Sequence, residues 1–433
     1  MADEPARSSD DIDEEAQRLQ DLEELVKRIP GASRVVNELR DLRELLSQRR
    51  APRVAVLGRR GSGKSSLANA LLGAEALATG RVEDTTKAPA WVDLAVRGFA
   101  VKWLDTPGLR AGGEAERSDA VAEALKACRP DVVLVCFRAA EWRAGLDDDL
   151  KEVKRVLDVA MPVKEGVKRP VVGVLTRVDE LPPLAERRPP FDAPTERREA
   201  IAAAKDAVAA AFERAGMGPV PVVPVVTWQR FVDGARVTDW RWGLEALAME
   251  IHGLLPLAAQ MEAARAFERA RAVRRRVAMR FVGAATSVSV VVGATPLPVA
   301  DLALLAPLQT VMLTGIVYAS GRQLGPRAVT EWLGALGLGV GTGIGLREVV
   351  RSTLKLIPGI GASLSGAVAA SGTWALGTAA VRYFIDGVSV SASKRAYEAA
   401  LRGGAPSEAL DAELPPVGDD DPGDDGGDGD DDA

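Results

Sequence analysis

The sequence predicts an α/β unit, with a mostly parallel sheet and flanking helices, followed by an all-α and strongly apolar helical unit. Over residues 53–255, short runs of β-branched residues alternate with amphipathic helices, which is typical of parallel strands joined by crossover helices. Further along, charge nearly disappears: 281–320 carries one charged residue, Asp301, and 356–381 carries none. At 433 residues the chain is too long for one compact core, so two folded units with tails are expected.

Four segments are predicted along the chain. Residues 1–50 form an acidic N-terminus and a helical arm, which we expect to pack on the next domain, because leucine and valine recur there at helical spacing. Residues 51–255 form the α/β unit, and 256–402 form a basic helix and the apolar helical domain. Residues 403–433 are dominated by glycine, proline and aspartate, so this acidic tail is expected to be disordered.

The α/β unit is expected to contain alternating strands and helices. The strand candidates are the apolar runs 54–57, 101–104, 132–137, 171–176 and 222–226. The helices between them are predicted at 65–72, 114–126, 146–157 and 194–215. One long helix over 243–280 is predicted to close the unit and to become basic through Arg265, Arg269, Arg271, Arg274, Arg275, Arg276 and Arg280.

Composition excludes several kinds of site. Only Cys128 and Cys136 are present, which excludes a disulfide framework and a thiolate metal cluster. His252 is the only histidine, so a multi-histidine metal site is excluded too. The N-terminus is acidic and polar where a secretory signal is basic and then apolar, so no export signal is expected.

A phosphate-binding loop follows the first predicted strand. Residues 58–65 match G-x-x-x-x-G-K-[ST] between the apolar run 54–57 and a helix, which is the context that this motif requires. The glycines let successive backbone N–H groups face phosphate oxygens, and the helix presents its positive end to the same anion. Lys64 is therefore predicted to bridge the β- and γ-phosphates, and Ser65 to ligate Mg²⁺.

A second motif, Asp-Thr-Pro-Gly at 105–108, follows the apolar run 101–104. Asp105 then lies at a strand end, where it is predicted to hold Mg²⁺ through water. The N–H of Gly108 is predicted to touch the γ-phosphate. Between the two motifs, a mobile switch segment is expected to bring a threonine to the metal and the γ-phosphate, and we favour Thr86 over Thr85.

The third motif selects the base. Residues 176–179, Thr-Arg-Val-Asp, follow the apolar run 171–175 and match [NT]-[KR]-x-D. The carboxylate of Asp179 is predicted to accept hydrogen bonds from the N1–H and the exocyclic amine of guanine. Adenine offers no such donor pair. GTP and GDP, with Mg²⁺, are therefore the expected ligands.

In order and spacing, these motifs resemble those of an Era-like GTPase domain. They are residues 58–66, Thr86, 105–108 and 176–179. Similar motifs occur in septin, immunity-related and dynamin-like relatives. The resemblance covers Arg53 to about Leu255 and implies Mg²⁺-dependent hydrolysis of GTP that is slow without a partner or dimer. It also implies that Thr227 contacts the base, and that the aliphatic stem of Arg177 lies over the base where the family most often has lysine.

The predicted site residues fall into three groups. The nucleotide-binding residues are Gly58, Gly61, Ser62, Gly63, Lys64, Ser65, Ser66, Thr176, Arg177, Asp179 and Thr227. The metal ligands are Ser65, Thr86 and Asp105. The catalytic residues are Lys64, Thr86 and Gly108.

Hydrolysis needs a group that orients the attacking water. Leu109 stands where Ras-type enzymes have a glutamine, and it cannot do so. Relatives with an apolar residue there recruit a potassium ion, a partner subunit or another residue. Gly61 stands where the potassium route uses Asn or Asp, which disfavours that route. Either Arg59 or Arg60 acts as an arginine finger, in cis or across a dimer, or both point to solvent.

The helical half is similar to a second family, the YcjF-like helical domain of unknown function. The residues that carry this resemblance are 296–301 (Pro-Leu-Pro-Val-Ala-Asp), Leu308, Gln309, Met312, Ile316, Tyr318 and 374–377 (Trp-Ala-Leu-Gly). The match covers roughly residues 282–384. That domain is often joined to Era-like GTPases and is often predicted to be membrane-associated, which implies the same for this chain.

Two structures are possible for the helical half, a set of membrane-spanning helices or a compact bundle. Residues 302–321 and 356–381 are long enough to span a membrane, whereas 281–294 and 333–346 are short. The alternative is a compact bundle in which small residues allow close helix contact. The basic helix before residue 281 suits an anionic membrane surface or is a solvated helix face. Nucleic acid is not expected, because no aromatic residues interleave with the arginines.

The sequence therefore predicts a GTP-hydrolysing switch at the inner face of the cytoplasmic membrane. Its helical half is predicted to dock on the membrane, to insert into it or to bind a partner. One alternative is an assembly or membrane-remodelling protein that forms a homodimer through the GTPase domain. Another is a scaffold that binds GTP without hydrolysing it.

Overall fold

In the computed structural model, the chain divides into two compact units, Arg49–Val273 and Met1–Gln48 with Arg274–Ala433. Thr85, Thr86 and the tail 404–433 lie outside the described residues. The structure describes residues 9–29, 32–77, 88–109, 115–143, 145–163, 167–184, 187–191, 193, 195–294, 300–322, 326–337 and 366–403.

The elements of the described chain follow one another in a simple order. The strands are β1 (Arg53–Gly58), β2 (Ala90–Val96), β3 (Phe99–Asp105), β4 (Val132–Arg138), β5 (Val171–Thr176), β6 (Val222–Val225), β7 (Gln229–Val232) and β8 (Ala235–Asp239). The helices are α1 (Ser9–Val26), α2 (Ser33–Ser47), α3 (Lys64–Leu72), α4 (Ala115–Ala127), α5 (Leu146–Ala160), α6 (Glu196–Arg214), α7 (Leu244–Leu254), α8 (Leu257–Ala266), α9 (Arg271–Ala294), α10 (Ala300–Ala319), α11 (Pro326–Ala335), α12 (Gly366–Val381) and α13 (Val390–Gly403).

The α/β unit is built on a six-stranded sheet in the order β2-β3-β1-β4-β5-β6. Strands β3, β1, β4, β5 and β6 pair in parallel, and β2 joins antiparallel to β3 at one edge. This confirms the predicted mostly parallel sheet. Strand β1 lies at its centre, and its apolar run Val54–Leu57 is fully buried because helices cover both faces of such a sheet. The carboxyl ends of β1, β3, β4 and β5 therefore meet at one edge, where ligands bind in open α/β sheets.

Three strands were missing from the sequence-based prediction. Strand β2 alternates only weakly, and it carries one buried residue, Leu94. Strands β7 and β8 form an antiparallel hairpin. Asp233 and Gly234, both with positive φ, make its turn. Asp-Gly between two short strands is a recognised hairpin signal, so this element was detectable from the sequence.

The predicted continuous helix over 243–280 is wrong, because the structure breaks it into α7, α8 and the first part of α9. Pro256 has an extended backbone and precedes α8, as expected for a residue without an amide donor. Phe267, also extended, ends α8. The boundary between the two compact units falls inside α9, at Val273.

The helical unit combines helices from before and after the α/β unit in the sequence. Helices α1 and α2 pair with each other and α1 packs on α10, so their leucines are buried within this unit. The arm is therefore grouped with the helical unit and not with the α/β unit that follows it in the sequence. Small residues allow close helix contact, as predicted for a bundle: a Cβ on Gly315 would lie 2.4 Å from the ring of Phe281.

The core of this unit is not uniformly apolar. The hydroxyls of Ser289 and Thr373 lie 2.9 Å apart, and the amide of Gln309 donates to Thr373 over 3.3 Å, all three residues being buried. Among the described helices, none combines the length and the apolarity needed to cross a membrane.

Candidate nucleotide-binding site

The phosphate loop runs from the end of β1 to the start of α3. Gly58 and Gly63 both have positive φ, which side chains with a Cβ rarely adopt. A Cβ on Gly58 would also lie 2.4 Å from the carbonyl oxygen of Cys136 on β4, so the loop starts against the neighbouring strand. Gly63 is the N-cap of α3 and aims the first turn of that helix at the loop.

Lys64 is buried against the loop that precedes it. Its side chain lies at the first position of α3, and the residue is 8% exposed. The ammonium donates to the carbonyl oxygens of Gly58, at 3.2 Å, and Arg59, at 3.0 Å. The cation is therefore already located where the motif predicts phosphate. Ser65, the predicted metal ligand, is half-buried in the same turn.

The second motif lies beside this loop because β3 is the direct neighbour of β1. Asp105 ends β3, and the buried hydroxyl of Thr106 donates to Val56 on β1. A Cβ on Gly108 would lie 2.4 Å from the backbone nitrogen of Arg60, so the two motifs are in contact. A serine hydroxyl and a carboxylate are hard oxygen donors, and this donor set fits Mg²⁺. The third predicted ligand, Thr86, lies outside the described residues.

Leu109 and Arg59 are both turned away from the predicted phosphate position. The N–H of Leu109 donates to Gly58, and its side chain is 4% exposed in the core of the α/β unit. The guanidinium of Arg59 pairs with Asp149 on α5 at 2.5 Å and donates to the carbonyl of Gly145 at 3.3 Å. The alternative in which Arg59 points to solvent is therefore wrong. Arg60 is exposed.

Thr176 joins the base motif to the phosphate loop. The residue is fully buried at the end of β5. Its hydroxyl lies 2.8 Å from the carbonyl oxygen of Ser62 and 3.1 Å from that of Phe137. Strands β4 and β5 and the loop are thus tied together by one side chain, although the sequence predicted Thr176 only as a residue of the base motif.

A cavity of about 510 Å³ opens beside this junction and contains the predicted base-binding residues. Ser66, Arg177, Asp179 and Thr227 all line it. Burial is the largest influence on Asp179, and it raises the pKa of that carboxyl above its ordinary value. The backbone of Arg177 is left-handed, and its guanidinium lies 3.4 Å from Glu180.

The hairpin β7–β8 adds a wall that sequence reasoning did not assign to the site. Lining residues that were not predicted are Asn69, Glu75, Glu180, Arg187, Trp228, Gln229, Phe231 and Trp240. Gln229 donates to the carbonyl of Asn69 on α3 at 2.9 Å, and Arg236 donates to that of Gly73 at 2.8 Å. The hairpin is therefore anchored to the helix that begins at the phosphate loop.

A charge cluster fixes the base of the hairpin. Its arginines and acids are Arg236, Asp239, Arg241, Glu268 and Arg269. The side chain of Arg241 is 1% exposed and contacts both acids. Hydrogen bonds from these arginines hold the pKa values of Asp239 and Glu268 below their ordinary range, although burial alone would raise them.

A comparison with protein families matches the segment that contains the phosphate loop and Asp105. Residues 53–176 match the family model described as 50S ribosome-binding GTPase. The chain contains a P-loop GTPase domain. The family match ends at residue 176, so the similarity of the helical half to YcjF-like domains stays a prediction.

Curated relatives match over parts of their length. The tRNA modification GTPase MnmE of Sinorhizobium medicae is 32% identical over 117 residues, which are 25% of this chain and 27% of that protein. MnmE of an Acidovorax species is 29% identical over 48% of this chain and 42% of that protein. GTPase Der of a Bradyrhizobium species is 38% identical over 21% of each chain. The chain thus spans less than half the length of these relatives.

Among solved structures, Toc33 from Arabidopsis thaliana in complex with GDP and Mg²⁺ is 20% identical, with a TM-score of 0.36 over 55% of this chain and 95% of that one. Era in complex with MgGDPNP and part of the 16S ribosomal RNA is 18% identical, with a TM-score of 0.32 over 54% of this chain and 68% of that one. At these scores the likeness adds nothing to the site geometry.

Proposed function

We propose that this protein is a molecular switch that binds Mg²⁺ and GTP, hydrolyses GTP slowly, and changes the state of its helical unit with its nucleotide. The base cavity carries this proposal. In it, the half-buried residue Asp179 lies with Arg177, Ser66 and Thr227, and Thr176 links the cavity to the phosphate loop. A carboxylate that accepts two hydrogen bonds selects guanine, because adenine would leave it desolvated and unpaired.

Each predicted residue of the phosphate and metal site then has a definite role. The ammonium of Lys64 leaves the loop carbonyls and binds the β- and γ-phosphates. Ser65 and Asp105 would hold the Mg²⁺, which would neutralise charge on the phosphates. The N–H of Gly108 would donate to the γ-phosphate. Thr86 would be the third metal ligand in the GTP state.

The experiment that tests guanine recognition is calorimetry with GTP and ATP in the presence of Mg²⁺. We expect a preference for GTP of several kcal/mol, since a buried unpaired carboxylate is costly. Asp179→Asn should weaken GTP binding and favour xanthosine triphosphate, whose base presents the complementary acceptor. Equal affinities of the wild type for GTP and ATP would remove the proposal.

Slow hydrolysis is proposed because the position of the water-orienting glutamine is filled by buried Leu109, and because Arg59 is paired with Asp149. Turnover per molecule that rises with protein concentration indicates a dimer that supplies the missing group. Tight GTP binding without phosphate release at any concentration indicates the scaffold alternative. Chelation of Mg²⁺ is expected to abolish turnover whether the protein hydrolyses GTP slowly by itself or as a dimer.

We also propose that the helical unit contacts the inner face of the cytoplasmic membrane peripherally. Support comes from exposed Val290 on α9 and Val368 on α12. The basic stretch contributes less attraction than its sequence suggests, because Arg275 pairs with Asp386 and Arg269 with Asp239. Flotation of the full chain on anionic liposomes should therefore be weak and should fall with salt. Failure to float in every nucleotide state contradicts this part of the proposal and leaves a partner-binding bundle.

A further inference from the structure

A buried arginine lies directly beneath the base motif. Arg197 is in the first turn of α6, which begins after the capping hydroxyl of Thr195, and it is 0% exposed. A cation at this end of a helix is opposed by the helix dipole. Burial of a guanidinium is also unfavourable unless its donors are satisfied. The local helix therefore does not explain this residue.

The guanidinium of Arg197 contacts the backbone of the turn that carries Asp179. One nitrogen, Nη1, donates to the carbonyl oxygens of Val178, at 3.1 Å, and Asp179, at 3.0 Å. The other, Nη2, donates to the carbonyl of Pro183. Arg187, which is exposed, adds a longer contact of 3.4 Å to the carbonyl of Asp179.

These contacts fix the two peptide planes that flank Asp179. The carbonyl of Val178 belongs to the peptide before Asp179, and the carbonyl of Asp179 belongs to the peptide after it. Since both accept from one planar, rigid group, Arg197 restrains the backbone from which the Asp179 side chain projects. The guanidinium itself is held over the ring of Phe191, with its carbon 5.2 Å from the ring centre. Phe191 in turn packs edge-on against Trp242.

We infer that Arg197 is a positioning residue for guanine recognition, which orients the carboxylate of Asp179 through the peptides on either side of it. The inference rests on the proposed function, because it requires that Asp179 read the base. It concerns direction rather than charge, since Arg197 contacts the carbonyl oxygens of the turn and not the carboxylate, and Asp179 lines the base cavity.

The test compares GTP with inosine triphosphate, which lacks the exocyclic amine but keeps N1–H. We expect the wild-type full chain to prefer GTP, and we expect that preference to fall about tenfold in Arg197→Met, because the carboxylate would no longer be held toward the exocyclic amine of guanine. Arg197→Lys keeps the charge but lacks the planar fork, so an intermediate loss is expected. Loosening of the whole unit would lower both affinities together and leave their ratio unchanged.

Arg198→Met is the matched control, because Arg198 is the next residue of α6 and is exposed. It should keep the wild-type ratio. A wild type without preference for GTP over inosine triphosphate would remove the proposed reading of the base by Asp179, whatever Arg197 does. If the wild type prefers GTP, and folded Arg197→Lys and Arg197→Met keep that preference, the inference about Arg197 is overturned while the proposed function stands. Loss of the folded state in both variants would assign Arg197 to stability and overturn it as well.

Discussion

The phosphate side and the base side of this site are built in different ways. On the phosphate side, Lys64 bonds to carbonyls five and six residues before it. On the base side, Asp179 is supported by Arg197, eighteen residues further on, and the cavity wall comes from the β7–β8 hairpin. The proposed phosphate side is thus built from a local motif, whereas the proposed base side depends on tertiary contacts. The two sides should therefore respond differently to substitution.

The largest effect is expected on the phosphate side. Lys64→Ala removes the cation that is predicted to stabilise charge on the transferred phosphate, so GTP hydrolysis should fall by about 10²-fold or more. Steady-state phosphate release measures it. Lys151→Ala is the control, because the side chain of Lys151 is 72% exposed on α5. Wild-type turnover in Lys64→Ala would show that this loop is not the phosphate site.

A smaller effect is expected from the support of the base side. Glu268→Gln removes a carboxylate that contacts the buried Arg241 and also Arg236. Loss of these charged hydrogen bonds should lower the free energy of unfolding by about 2 kcal/mol and loosen the hairpin, which reduces the preference for GTP over ATP. Urea unfolding and calorimetry measure the two effects. Glu213→Gln, at an exposed position of α6, should change neither. If Glu268→Gln is destabilised but keeps the wild-type preference for GTP over ATP, the hairpin does not contribute to base recognition.

Thr176 is the point at which the two sides meet. Thr176→Val removes a buried hydroxyl and leaves the carbonyls of Ser62 and Phe137 without it, so a loss of about 1–2 kcal/mol in GTP affinity is expected. Thr176→Ser keeps the hydroxyl and should recover most of that loss. Equal affinities in the valine and serine variants would show that the hydroxyl does not couple the two sides.

The same contrast explains which features were predictable. The sheet, the phosphate loop and the placement of Asp105 and Asp179 follow from strand patterns and short motifs, and the structure agrees with those placements. The burial of Arg197 was not predictable, because an arginine in a helical run of charged residues looks like any solvated position. The pairing of the N-terminal arm with α10 depends on contacts between distant parts of the chain, which periodicity does not record.

The smallest effect concerns the pH dependence of Asp179. Burial raises the pKa of its carboxyl. A hydrogen bond from the backbone of Asp179 itself lowers that pKa, Glu180 raises it, and Arg187 and Arg177 lower it, but burial is the largest influence and the net shift is upward. A carboxyl with a raised folded-state pKa is least unfavourable below its unfolded value, about 3.9, and stability is lost as the pH rises through the folded value. The ionised carboxylate, which we propose to bind guanine, is therefore expected to destabilise the chain when nucleotide is absent.

Asp179→Asn should consequently make the nucleotide-free chain more stable than the wild type at pH 7, and this advantage should shrink as the pH falls toward 4. Paired urea unfolding curves of the two proteins across that range measure it. GTP binding to the wild type should weaken over the same acid range, because protonation removes the acceptor. If the stability advantage of Asp179→Asn is constant with pH, burial of the ionised Asp179 carboxylate does not destabilise the nucleotide-free chain. The proposed base side would then not lower stability for the sake of recognition, and it would not differ from the phosphate loop in this respect.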